Sequence, residues 1–276
     1  RGPDPIVSIE GIPFFEEKTF VHEHMRKNPN FDQIRNFSFS AESKHINRLI
    51  NPLDNTQFNP QQIKLMTMGV KKYRDPPDGV SENYLLTLND NSMGYFKAYN
   101  NVWLTNPRAE ITAYELSEKF GFGLVPTTVL KKVNEKTGSF QVHIKNKGSK
   151  KAEVNKYFEF SDEEKGKLNL FDFLIDARDR NNGNILRGLS DEIIAIDNSL
   201  SFTGRGTNYV DFSLRKRTIK IFLKTSIGRE IIENLRNSLF DANFLPQMVE
   251  RLGEEDANRL QNRIQFLVDY YDQKIK

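Results

Sequence analysis

Hydrophobic and polar positions change their period twice along this chain. Up to about residue 75 no period is sustained. Short helical patterns at Ala41–Leu53 and Gln61–Met68 are interrupted by Asn28-Pro29, Asn51-Pro52 and Asn59-Pro60, pairs that start turns and break helices. After the turn cluster Pro76-Pro77-Asp78-Gly79 the pattern alternates. Tyr84–Leu88 and Gly94–Tyr99, joined by Asn89–Ser92, predict a hairpin. Asn106-Pro107 opens a helix that carries Ile111, Tyr114, Leu116 and Phe120 and stops at Gly121. Strands are predicted at Val125–Val133 and Ser139–Ile144. Beyond the lysine-rich linker Lys145–Lys156 the period becomes helical. Ser161–Glu164 reads as a capping box leading into Leu168–Ile175, followed by helices at Gly228–Leu239, Phe244–Leu252 and Ala257–Lys274. The last places Leu260, Ile264, Leu267, Val268 and Tyr271 on one face. The pattern predicts an α+β chain of two lobes. A partly helical extension over 1–75 precedes a small antiparallel-sheet lobe with one helix over 76–147, and a mainly helical lobe fills 148–276.

Composition narrows the function classes. The 276 residues are 37% hydrophobic and include 21 Phe, enough for a real core and against wholesale disorder. A net charge of +3 is too weak a bias to argue for nucleic acid as partner. With no cysteine, thiol nucleophiles, disulfides and cysteine-ligated zinc are excluded. No apolar run approaches the length of a transmembrane span, and Arg1-Gly2-Pro3-Asp4-Pro5 lacks the features of a signal peptide. The expectation is a soluble, cytoplasmic protein.

Candidate chemistry concentrates in 171–202. An apolar helix end delivers the loop 176–184, "DARDRNNGN", and a short apolar strand then delivers "AIDNSLSF" over 195–202. Phosphoryl transfer asks little covalent chemistry of a protein. It needs a carboxylate to orient the attacking hydroxyl and oxygen ligands to hold a divalent cation against phosphates. Asp179 and Asn184 stand five residues apart, base first and amide second, and Asp197 after Ile193–Ile196 can supply a second metal ligand.

These two motifs, in this order, resemble those of the atypical kinases related to phosphatidylinositol 3-/4-kinases, of actin-fragmin kinase, and of HipA-type and bacterial effector kinases. There the loop reads like D-R-x-x-x-N and the metal motif like I-D-x-x-x-x-F. The segment over 108–130, "RAEITAYELSEKFGFGLVPTTVL", is similar to their E-x-x-A-Y and G-x-x-x-V-P-x-T region, and "GSFQVHI" over 138–144 to their fifth strand and hinge. The resemblance covers roughly residues 79–202 and not the extension. It implies a bilobal protein-kinase-like fold, ATP with Mg²⁺ or Mn²⁺, and a catalytic Asp179. Asn184 and Asp197 would be metal ligands. Lys97, paired with Glu110, would grip the phosphates, and Gly79, Ser81, Gln141 and His143 would line the nucleotide site. The chain departs from ordinary protein kinases in two places. Only Gly79-Val-Ser-Glu-Asn83 stands where a glycine-rich loop belongs, and Ala177-Arg178 replaces the usual catalytic-loop histidine, with Arg178 expected as an internal brace.

The resemblance does not choose the acceptor. The first reading is a protein kinase acting on Ser or Thr. The alternatives are a phosphoinositide or inositol-phosphate kinase, a nucleotide-binding pseudokinase scaffold, and AMP or glutamate transfer. Arg215, Lys216, Arg217 and Lys220, a cluster without acidic neighbours in sequence, suggest an anionic lipid headgroup or inositol polyphosphate as partner. Family likeness also suggests a bacterial effector released into host cytosol. His22, His24 and His45 show no metal-ligand spacing, and Trp103 reads as a packing residue.

Overall fold

The computed structural model describes residues 60–74, 83–99, 106–134, 136–145, 156–202 and 211–276. They form two compact units, one from 60–111 with 127–143 and the other from 112–126 with 144–276. Most of the predicted extension, residues 79–82 of the expected phosphate loop and Trp103 lie outside the described residues.

The first unit is built on a sheet. Helix α1 (Pro60–Thr67) is followed by strands β1 (Val70–Arg74), β2 (Asn83–Leu88) and β3 (Met93–Ala98), the start of helix α2 (Pro107–Lys119), and strands β4 (Thr128–Val133) and β5 (Lys136–Val142). All neighbours are antiparallel in the order β1-β2-β3-β5-β4. Period-two alternation on β3 buries Gly94, Phe96 and Ala98 and leaves Met93 and Tyr95 exposed. Leu86, Leu88, Phe96, Val129, Leu130 and Phe140 join Ile63, Leu65 and Met66 of α1 in one core. Gly94 is sterically required. A Cβ there would fall 2.3 Å from the Phe140 ring that crosses it.

β1 was not anticipated. Its five residues VKKYR are exposed or half-exposed, so this edge strand has no buried alternation to read. α1 is held to the sheet by Lys131 of β4. Its Nζ donates to the carbonyls of Leu65 and Met68, each at 2.7 Å, at a helix end where carbonyls lack intrahelical partners.

The second unit is helical. Helices α3 (Lys156–Glu159) and α4 (Asp162–Ile175) precede strands β6 (Ile185–Arg187) and β7 (Ile193–Ala195), then α5 (Phe212–Leu223), α6 (Ser226–Phe240), α7 (Phe244–Leu252) and α8 (Glu254–Lys274). α4 is capped by Ser161, whose hydroxyl accepts from the Glu164 N–H at 3.1 Å. From Leu168 to Ile175 every residue of it is buried. Against it packs α5, so closely at Gly166 that a Cβ would meet the Thr218 carbonyl at 2.2 Å. α5 was not predicted as a helix. Its buried positions Phe212, Ile219, Phe222 and Leu223 leave a gap of six residues between the first two and are matched in number by cations. The end of α2 belongs to this unit: Glu115 and Arg251 form a buried ion pair at 2.9 Å, and the Leu124 carbonyl accepts from the Ala195 N–H at 2.8 Å. No helix among the described residues is long and apolar enough to cross a membrane.

Burial pushes the Lys131 ammonium down from 10.5 to about 8. Between those values the unfolded chain keeps a proton that the folded chain has lost, so stability rises with pH across that window and is flat below it. In Lys131→Met the rise should vanish. The gap in unfolding free energy between wild type and variant, measured by urea titration, should shift in favour of wild type by up to ~3 kcal/mol from pH 7 to pH 10.5. A gap independent of pH would contradict this.

Candidate functional site

The second unit brings the Asp- and Asn-rich segments together. α4 ends on Asp176, whose left-handed backbone (φ 52°) turns the chain sharply out of the helix. The loop 177–181 then closes on itself through its own side chains. Asn181 Oδ1 accepts from the Gly183 N–H at 2.8 Å, and its Nδ2 donates to Asp179 Oδ1 at 3.1 Å. Asn184 Nδ2 donates to the Asp179 carbonyl at 2.8 Å and to Asp179 Oδ2 at 3.3 Å. The exposed Asp179 carboxylate is thus oriented by two amides while staying open to a reactant.

The hairpin β6–β7 carries the chain from this loop to the next motif. Its register, Ile185 opposite Ala195, places Asn184 beside Ile196, and the Ile196 N–H donates to the Asn184 carbonyl at 3.1 Å. Asp197 follows, half-buried and left-handed (φ 55°), with the Ser199 hydroxyl donating to its Oδ1 at 2.9 Å.

A buried arginine fastens the two segments. Arg180 Nε donates to Asp172 Oδ1 at 3.0 Å, Nη1 to the carbonyls of Asn184 (3.2 Å) and Ile196 (2.6 Å), and Nη2 to Asn198 Oδ1 at 2.6 Å. The Arg180 side chain is 3% exposed and that of Asp172 not at all. The expected brace was Arg178. That side chain pairs with the buried Asp176 Oδ2 at 2.9 Å and braces the end of α4, while the tie between the two motifs is made by Arg180, two residues on. An alternation of charge, Asp-Ala-Arg-Asp-Arg, does not say which arginine points inward. The buried Asp172 within the apolar helix run was the available signal.

These residues suit a divalent cation of the hard class. The donors are a carboxylate and an amide, all oxygen, and because Asn184 spends its NH₂ on Asp179 its carbonyl oxygen is left for a cation. Among the described residues no group of three or more His, Asp or Glu could hold a metal alone.

In the first unit, Lys97 of β3 makes an ion pair with Glu110 in the first turn of α2. The two side chains are 14% and 3% exposed, which removes them largely from solvent screening. Asn106 receives the Ala109 N–H at 3.3 Å and so fixes the helix start that presents Glu110. Gln141 donates to Thr128 Oγ1 at 3.0 Å across the sheet. His143 is exposed, its ring edge-on to Tyr95 and its N–H on the Met93 carbonyl. Gly79, Ser81, His22, His24 and His45 lie outside the described residues.

The basic cluster lies on α5 and differs from the expectation that it has no acidic neighbours. Arg215 donates to the buried Asp172 Oδ2 at 3.2 Å and Arg217 to Asp162 Oδ2 at 3.3 Å, both carboxylates coming from α4. Lys216 stands over the Tyr270 ring at 5.7 Å, and Lys220 is exposed. Tertiary packing, invisible in a linear window, supplies the anions.

No family model matches the sequence, and no curated protein matches it. Solved structures do. A hydra Fam20 structure with sugar superposes with a TM-score of 0.53 at 12% identity, over 93% of this chain and 96% of that one. Two structures of the Golgi casein kinase, one with Mn/ADP bound, give TM-scores of 0.47 and 0.48 at 15% and 14% identity, over 99% and 100% of this chain and 94% and 95% of those. The fold is kinase-like. The α+β class read from the sequence stands, and at such identity the likeness concerns the fold alone.

The Lys97–Glu110 pair should behave as a unit in stability. Lys97→Met removes the cation that faces the buried Glu110 carboxylate, Glu110→Gln removes the anion that faces the Lys97 ammonium, and the double change removes both charges together. Denaturant titration of the four proteins should show a coupling of ~1–3 kcal/mol. Additive losses would mean that the pair contributes nothing beyond its separate side chains.

Proposed function

We propose that the chain is an ATP-dependent phosphotransferase of atypical protein-kinase type, acting on a Ser or Thr hydroxyl of a protein. The observation that carries this reading is the closed arrangement Asp179–Asn184–Ile196. One amide orients a carboxylate with its nitrogen and offers its oxygen outward, while its own backbone carbonyl anchors the strand end that delivers Asp197.

Each residue then has a task its surroundings allow. Asp179, exposed and held by Asn181 and Asn184, accepts the proton of the acceptor hydroxyl as its oxygen bonds to the γ-phosphorus and the bond to the ADP oxygen breaks. Asn184 and Asp197 would hold the divalent cation. When bound, the cation neutralises phosphate charge. Lys97 supplies an ammonium to the phosphate oxygens, and Glu110 keeps that ammonium charged and directed. The motif likeness to the phosphatidylinositol 3-/4-kinase group supports the role of Asp179. Arg215 is drawn onto Asp172, which takes one of four cations from a lipid or inositol-phosphate site and favours a protein acceptor.

Two variants should fail by different routes. Asp197→Ala loses a charged cation ligand, so metal-dependent nucleotide binding should weaken at least tenfold in calorimetry. Asp179→Ala should bind nucleotide within about twofold of wild type while turnover drops by a hundredfold or more. Radiolabelled ATP with protein and lipid acceptors side by side, and mass spectrometry of the product, identify the group moved. Full turnover in Asp179→Ala, or an adenylated product, would refute the reading.

A further inference from the structure

We propose that Arg180 is the positioning residue of the cation site, setting Asn184 and Asp197 in register by gripping the backbone on both sides. The proposal rests on the assignment of those two residues as cation ligands.

Three features point beyond ordinary core packing. The first is where the acceptors lie. Besides Asp172, the guanidinium meets the carbonyl of Asn184, the carbonyl of Ile196 just before Asp197, and the side chain of Asn198 just after it. Every donor of the fork that does not reach Asp172 ends on or beside a candidate ligand. The second is conformation. Asp197 sits at φ 55°, a left-handed conformation that few non-glycine residues adopt and that its neighbours must hold in place. It is flanked on both sides by residues bound to one rigid plane, so a left-handed turn that would otherwise relax is held. The third is redundancy. Asn184 and Ile196 are already joined by a backbone hydrogen bond and by the β6–β7 hairpin, so the fold does not require a third tie at this point. What Arg180 adds is angular: a planar fork contacting both segments fixes their relative rotation, which a single N–H···O bond leaves soft.

Lysine cannot substitute. Its ammonium is a point donor on a flexible stem and would satisfy Asp172 or the carbonyls, but not all four acceptors in the geometry of a guanidinium. The pairing with Asp172 would survive while the register loosened.

The decisive variant is Arg180→Lys in the full chain, with Mn²⁺–ADP and metal-free ADP titrated calorimetrically beside thermal melting and steady-state kinetics. The expected result is a ten- to hundredfold loss of Mn²⁺-dependent affinity, the range seen when groups that orient metal ligands are changed. Metal-free ADP binding should stay within twofold, and KM for Mn²⁺–ATP should rise more than kcat falls. If Arg180→Lys does not fold, Asn198→Ala removes one anchor only and should weaken Mn²⁺-dependent binding severalfold with little change in melting temperature. Asp197→Ala is the reference. If it leaves Mn²⁺–ADP binding intact, the ligand assignment itself fails and the proposal with it. If Asp197→Ala loses that binding while Arg180→Lys, or Asn198→Ala in its place, keeps it within twofold, the positioning role is overturned and the site assignment survives. A loss equal with and without Mn²⁺ would also overturn it, marking Arg180 as merely structural.

Discussion

Asp172 carries a negative charge into the second half of a helix where every other residue but Asn169 is apolar, and its side chain has no access to water. Burying an unpaired carboxylate costs several kcal/mol, so the surrounding chain must supply cations. Two arrive, and they come from opposite directions in sequence: Arg180 from the loop that follows α4, and Arg215 from α5. Satisfying one charge therefore folds the loop back against the helix and draws α5 onto its flank. Once Arg180 is fixed, its remaining N–H groups grip the carbonyls of Asn184 and Ile196, which the β6–β7 hairpin already sets side by side, and the two motifs that carry the candidate chemistry are locked in one orientation. The order of causes runs from a buried charge, through a guanidinium, to the geometry of a site.

The first unit handles its buried cations in two ways. Lys131 has carbonyls and an aromatic face but no carboxylate, and burial depresses its ionisation. Lys97 has Glu110. Of the two, the lysine that faces a carboxylate is the one proposed to meet phosphate, whereas Lys131 is spent on closing the end of α1. Both sit on strands whose alternation the sequence displays. Only their partners decide which is structural and which is available for chemistry.

Much of this was legible before any coordinates. Period-two runs located β2 to β5, and the 3.6 period located α2, α4, α6, α7 and α8. The Asp179–Asn184 offset identified the loop that the structure closes. What escaped had physical reasons. β1 is an edge strand with little burial, so its hydrophobic signal is absent. The four buried residues of α5 are scattered among basic ones, which made charge the louder pattern and suggested a polyanion surface where Arg215 in fact serves Asp172. Arg178 does brace internally, on the buried Asp176, but the tie between the two motifs comes from Arg180, and which acceptors each guanidinium reaches depends on the left-handed turn at Asp176, a torsion that composition does not encode.

Backbone strain adds an independent line of argument. Six described non-glycine residues have positive φ. Asn91, Asn134 and Asp191 belong to turns, and Asn and Asp tolerate such turns well. The other three are Asp176, Asp197 and Phe202, and they bracket the candidate site: one where α4 ends, one at the proposed ligand, one where the second motif closes. Phe202 is the least tolerant of the six, being bulky, yet it is fully buried and its N–H is held by the Ile175 carbonyl at 2.8 Å, adjacent to Asp176. Two strained residues thus meet at one helix terminus, and the third lies between flanks fixed by Arg180. Conformations of this kind persist only where neighbouring contacts over-determine them, and here those contacts converge on the carboxylate and amide that face the proposed chemistry. At Asp197 the conformation so held belongs to the residue proposed as a cation ligand, and it sets where that carboxylate leaves the backbone.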